Sequence, residues 1–330
     1  MRVIDMHCDT ISELYALKKE GGEASILDNQ LHLDLRRMKA GDYGLQNFAL
    51  YINLKRTEDP FAECMGMLDT FYTEMEGQQE LIGIVTSYEE IERNWEEGRM
   101  SALLTVEEGG VCRGSLALLR DFYRLGVRMM TLTWNHANEL GNPNRFIIEG
   151  PEAPRFEPDT EHGLTERGIE FVREMERLGM IIDVSHLSDA GIYDVLRYTK
   201  KPFTASHSNA RALASHPRNL TDDMIRAIAE RGGVAGINYC AAFLRDWEDE
   251  SQAVSRISDI VEHIKHFKKT GGIDCVGLGS DFDGIRCGLE LKDASALPLL
   301  EAEMRRQGFT ETEIEKVFYR NVMRLYKELL

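Results

Sequence analysis

The chain has 330 residues, of which 43% are hydrophobic and 29% charged, with a formal net charge of −17. A field of that sign repels phosphate backbones and anionic membrane surfaces, which argues against nucleic acid as a partner. No apolar run approaches the length of a membrane span, and the opening MRVIDMHCDT carries acidic groups where a signal peptide would be apolar. Six dispersed cysteines without a C-x-x-C pair (Cys8, Cys64, Cys112, Cys240, Cys275, Cys287) read as reduced, mostly core thiols, so the composition predicts a cytoplasmic protein.

Short apolar runs of strand length recur along the whole chain. They are VIDMHC (3–8), LQNFALYI (45–52), ALLTVE (102–107), MMTLTW (129–134), IIDVSH (181–186), PFTASH (202–207), GVAGIN (233–238) and CVGLGSDF (275–282). Most are near-continuously apolar, as parallel strands buried on both faces are. The more polar region 53–100 predicts helices that decorate the first half, and 137–163 predicts a long loop after the fourth strand, of a length often tied to function. Apolar residues at three- and four-residue spacing predict helices in 115–126, 165–179, 221–233 and 253–272. Thr221 suits an N-cap ahead of Asp222 and Asp223, and Gly126, Gly179, Gly232 and Gly271 stand where C-caps are expected.

Strand alternating with helix implies a parallel sheet. Eight such strands fit an α/β fold of the (β/α)8 TIM-barrel type, with a doubly wound open sheet as the competitor. No Pro/Gly/Ser-rich linker, fixed-period repeat or low-complexity tract divides residues 1–330, which read as a single domain.

Chemistry collects at the strand ends. His7 and Asp9 close the first strand, Glu107 and Glu108 the third, His186 the fifth, His207 the sixth, and Asp281 and Asp283 the eighth. In barrel enzymes these carboxyl ends build the active site. Imidazole and carboxylate without thiolate suit zinc, manganese or iron in a hydrolytic centre. Residues two apart in a strand share a face, so His7 and Asp9 can both face the mouth while Cys8 packs away from it. The similar pair His32 and Asp34 lies in NQLHLDLRRMKAG, a helical turn or loop after a polar stretch, and reads as structural or surface-exposed.

The ordered motifs MHCDT, TVEEGG, RMMTLTWN, GLTERGIEFVREMERLGMIIDVSH, ASHSNARALASHPRNLTDDMIRAIAERGG and GLGSDFDG carry a resemblance over nearly the whole chain. The sequence resembles the membrane dipeptidase (renal dipeptidase) family of zinc peptidases, family M19, and its bacterial members in particular. The resemblance implies a barrel of the metal-dependent hydrolase type, two zinc ions, a dipeptide substrate and a homodimer. Carried over, His7, Asp9 and Glu107 would hold one zinc, and Glu107 would bridge to a second held by His186 and His207. Asp281 would contact the bridging water and handle protons, and Arg218 would bind the substrate's terminal carboxylate. Glu107 is preferred to Glu108 because its spacing to TLTWN fits the family pattern without a gap. Trp134 stands where some members have a substrate-contacting histidine, with His136 two residues later, so either His136 substitutes or that contact is lost.

The reaction so implied is attack of a metal-bridging hydroxide on the peptide carbonyl. The rivals are another metal-dependent amide hydrolase on the same barrel, acting on acylamino acids or lactams, and a metal-binding scaffold without turnover. For Arg218 the bland alternative is an arginine paired to a helix carboxylate.

Overall fold

The computed structural model describes residues 1–147 and 155–330. Eight parallel strands form a closed ring in which each pairs with the next along the chain and the last returns to the first. They are β1 (Val3–Cys8), β2 (Tyr43–Tyr51), β3 (Met100–Glu107), β4 (Met129–Thr131), β5 (Ile181–Asp183), β6 (Thr204–Ala205), β7 (Val234–Ile237) and β8 (Val276–Leu278). Pairing of β2 with β3, from Leu45–Ser101 to Tyr51–Glu107, closes the ring that an open sheet would leave unjoined. The doubly wound alternative is thereby excluded.

Helices between the strands begin where side chains satisfy the free N–H groups of a first turn. Thr165 accepts from Gly168 N at 3.0 Å ahead of helix Glu166–Leu178, and Thr221 from Met224 N at 3.3 Å ahead of helix Asp222–Glu230. Gly179 ends the first of these with φ +81°, the left-handed turn that favours glycine. Gly271 does not share that geometry, and the positive φ falls on Gly272 instead.

One apolar cluster gathers Met6, Leu45, Leu103, Met129, Ile181 and Val234 from six strands with Val322 and Tyr326 of the last helix, Asn321–Leu329. Tyr326 also exchanges hydrogen bonds with the Asn47 side chain at 2.7 and 3.0 Å, so this helix closes the barrel floor. The chemistry is left to the opposite, carboxyl ends of the strands.

Four strands stop two or more residues short of their predicted ends, at 131, 183, 205 and 278. Buried carboxylates take over where the ladder stops. Asp183 accepts from Ser185 N at 3.0 Å, Ser206 N at 2.8 Å and Thr131 Oγ1 at 2.7 Å, while Asp5 accepts from Ser280 N at 2.9 Å and Ser280 Oγ at 2.5 Å. Region 53–100 does hold helices, Pro60–Glu76 and Tyr88–Glu96, but it also holds a strand, Ile82–Val85, which pairs with the first half of β3. In the segment predicted as a loop over 137–163, Arg145–Ile147 pairs antiparallel with Arg155–Glu157, and residues 148–154 of that prediction lie outside the described residues. No helix among the described residues is long and apolar enough to cross a membrane.

Candidate metal centre

His7, Asp9, Glu107, His186, His207 and Asp281 converge at one rim of the barrel. His7 and Glu107 belong to β1 and β3. Asp9 follows β1 by one residue, and His186, His207 and Asp281 lie two or three residues past β5, β6 and β8. Two of them hold a backbone that non-glycine residues rarely adopt, His186 at φ +69° and Asp281 at φ +60°. His7 Nε2 lies 3.4 Å from Glu107 Oε2, 3.8 Å from Asp9 Oδ1 and 3.9 Å from Asp281 Oδ1. On the other side Glu107 Oε1 lies 2.9 Å from His186 Nε2 and 3.5 Å from His207 Nε2. Glu107 thus has one oxygen toward each half of the cluster. Glu108 does not join it: buried, it accepts from Gly110 N at 2.8 Å, from Trp134 N at 2.9 Å and from the Asn138 amide.

These residues fit a metal. His7 Nδ1 and Nε2, Asp9 Oδ1 and Glu107 Oε1 are buried without a hydrogen-bond partner, which is costly unless a cation satisfies them. Two sets, His7–Glu107–His207 and His7–Asp9–Asp281, each bring three ligand atoms within 4.8 Å of one another. Among the protein's own charges, burial holds His186 down to about 4 and His207 well below its ordinary range, so both offer lone pairs near neutral pH. Burial would raise Glu107, but His7 and His186 outweigh it and keep the carboxyl well below its usual range. Burial would likewise lower His7, yet Glu107 and Asp9 hold it well above. The cluster draws in positive charge. Burial also pushes Asp281 up to about 7, opposed by His7 and assisted by Asp9 and Glu107.

Further residues, which the sequence reading did not single out, hold these groups in place. Asn135 Oδ1 is 2.9 Å from His186 Nδ1, Ser206 Oγ is 2.7 Å from His207 Nδ1, and Asn238 Nδ2 donates to Asp281 Oδ2 at 2.9 Å. Gly284 passes so close that a Cβ there would sit 2.1 Å from Asp9 Oδ2 and 2.3 Å from Asp281 Oδ1. Asp183, which accepts from Ser206 Oγ at 2.6 Å, is the one member with a visible sequence signal, an acid inside the apolar run IIDVSH.

Arg218 is 8% exposed. Among the described residues its guanidinium donates only to Ser208 Oγ and to the His207 carbonyl, each at 3.2 Å, and its Nε has no partner. The bland reading, an arginine bound to a helix carboxylate, describes Arg211 instead, which pairs with both oxygens of Asp189 at 2.7 and 2.8 Å. Of the two aromatic residues after β4, Trp134 is the one in ring contact with His186, at 6.0 Å between centroids, and His136 meets Trp134 edge-on at 5.6 Å. The twin pair His32 and Asp34 is structural as expected. Asp34 caps helix Leu35–Ala40, and His32 N and Nδ1 engage Asp283 Oδ1 and N at 2.6 and 3.0 Å, which also removes Asp283 from the centre. A cavity of about 910 Å³ runs from His186 and Asn135 past Arg218 to Phe243 and Trp247.

Comparison with known proteins shows the family. The family model described as membrane dipeptidase (peptidase family M19) matches residues 1–329. An uncharacterised dipeptidase of Schizosaccharomyces pombe is 34% identical over 90% of this chain and 72% of its own, and a dipeptidase of Claviceps purpurea is 30% identical over 90% and 69%. Among solved structures, a family M19 dipeptidase superposes with TM-score 0.89 at 29% identity, covering 100% of this chain and 98% of its own. A Rhodobacter sphaeroides metallopeptidase holding a phosphinate mimic of the dipeptide L-Ala-D-Ala superposes with TM-score 0.87 at 27% identity, covering 100% and 99%. The chain belongs to the membrane dipeptidase family, peptidase family M19, and is a metal-dependent hydrolase.

Proposed function

We propose that the chain is a binuclear zinc dipeptidase. His7, Asp9 and Glu107 would hold one ion, and Glu107, His186 and His207 the other. The observation that carries this is Glu107, which turns one oxygen to His7 Nε2, a buried nitrogen without a hydrogen-bond partner, and the other to the paired Nε2 atoms of His186 and His207. Bound there, the two ions would polarise a water and the scissile carbonyl and make a nucleophile available near neutral pH.

The protein's own groups do the rest. Asp281 Oδ1 faces the cluster while Asn238 pins Oδ2, an arrangement suited to taking the water's proton and handing it to the departing amine. The guanidinium of Arg218, which pairs with no carboxylate among the described residues, offers its remaining donors to a terminal carboxylate, in the forked geometry that arginine supplies. A substrate with its carboxylate there and its peptide bond at Glu107 is short, which favours dipeptides over longer chains. The phosphinate mimic of L-Ala-D-Ala held by the Rhodobacter sphaeroides relative supports the same substrate class.

The test is hydrolysis of a dipeptide and of its C-terminal amide before chelation, after full metal removal and after zinc is restored. Activity should vanish and return, and the amide should be the poorer substrate. Turnover that survives complete metal removal would sink the mechanism. Equal use of dipeptide and amide would favour an acylamino-acid or lactam hydrolase.

A further inference from the structure

A row of aromatic side chains leads away from Arg218, and the reaction above gives it no task. Phe146 and Phe156, on the paired strands 145–147 and 155–157, have ring centroids 4.7 Å apart. Phe156 meets His216 at 4.7 Å and His216 meets Phe243 at 4.7 Å. The Arg218 guanidinium carbon lies 5.5 Å from the Phe243 ring centre. These residues and Trp247 line the same cavity that reaches His186. Burial, with the charge of Arg218, holds His216 down to about 4, so it presents a neutral ring. Phe146 and Phe156 remain 45% and 37% exposed, and contiguous exposed aromatics of this kind mark places where a ligand covers them.

We propose that this row is the subsite for the side chain of the dipeptide's second residue, and that it selects a large, preferably aromatic one. The inference rests on the dipeptidase reading of the metal centre. With the terminal carboxylate on Arg218, the carbon bearing that carboxylate is one bond away, so its side chain leaves the anchor beside Phe243. The peptide bond lies in the other direction, toward His186. A cavity of about 910 Å³ stands near the top of the range of roughly 300–1,000 Å³ usual for small-molecule sites. A dipeptide of two small residues would leave much of the aromatic row in water, whereas a ring stacked into it would bury apolar area on both sides.

The test compares kcat/KM of the zinc-loaded full chain for Ala-Ala, Ala-Leu, Ala-Phe and Phe-Ala. Ala-Phe should exceed Ala-Ala by roughly 10- to 100-fold, with Ala-Leu between them. Phe156→Ala should shrink the Ala-Phe to Ala-Ala ratio by about 5- to 10-fold, and Trp247→Ala gives the same reading should the first variant fail to fold. A ratio near one in the wild type, a ratio unmoved in folded variants, or a preference for Phe-Ala over Ala-Phe overturns the subsite and leaves the dipeptidase reading standing. No hydrolysis of any dipeptide by the zinc-loaded enzyme overturns both.

Discussion

The Nε2 atoms of His186 and His207 stand 3.0 Å apart, and neither has a proton to offer the other. His186 Nδ1 faces Asn135 Oδ1, an acceptor, so its proton is on Nδ1. Ser206 Oγ gives its own proton to Asp183 Oδ2, so it accepts from His207 Nδ1. Two lone pairs and the Glu107 carboxylate therefore meet at one point, an arrangement that needs a cation to be stable.

That argument makes Asn135 a positioning residue. Asn135→Ala should weaken zinc binding about 10- to 100-fold, the usual loss when a ligand's outer hydrogen bond is removed. Competition against a chromophoric chelator measures it, and Asn135→Asp, which restores an acceptor, should recover most of the loss. Wild-type affinity in Asn135→Ala would show that the ring is held by packing alone.

Asp281 should separate binding from turnover. Asp281→Asn keeps the shape and one hydrogen-bonding oxygen but cannot take a proton. Zinc content should stay near wild type while kcat falls by about 10²- to 10⁴-fold, the span usual for a general acid–base group. Metal analysis beside steady-state kinetics decides the matter. Loss of zinc in step with activity would make Asp281 a ligand first and a proton carrier second.

Gly284 leads to a different expectation, because its contact is with the Asp9 and Asp281 carboxylates themselves. A methyl group there would have to displace the Asp9 or Asp281 carboxylate, whose oxygens lie 2.1 and 2.3 Å from its position. Gly284→Ala should lower zinc occupancy and activity together while the thermal midpoint of the metal-free protein changes little. A variant with full zinc and full activity would mean that the loop after β8 yields instead.

Much of this centre was legible because strands write their pattern locally. His7 and Glu107 close apolar runs long enough to be recognised, and the alternation of strand and helix placed both at one rim. The other members of the cluster were legible as residues but not as geometry. β6 and β8 end early because Asp183 and Asp5 cap their ladders from neighbouring strands, and β5 ends on its own Asp183, which accepts from Ser185 N; the cross-strand part of this has no local pattern. Asn135 and Asn238 were missed for a related reason, since their partners lie 51 and 43 positions away in sequence. The four-residue strand Ile82–Val85, between polar stretches, owes its existence to pairing with β3.

His263 predicts how the fold responds to acid. On helix Ile257–Thr270, it accepts from Ala210 N at Nδ1, 3.0 Å, and donates from Nε2 to the Leu244 carbonyl, 2.9 Å. A second ring proton would point at the Ala210 N–H, and burial holds its pKa down to about 4. The unfolded chain takes up that proton near 6.5, so between pH 6.5 and 4 it binds more protons than the folded one, and stability falls as pH falls. Between pH 7 and 5 this residue alone should remove about 2 kcal/mol. Urea unfolding of wild type and of His263→Gln at both pH values isolates the effect, because every other titrating group is common to the two. The wild type should lose more stability than the variant by that amount, and parallel losses would show that His263 accepts a proton within the folded protein at little expense.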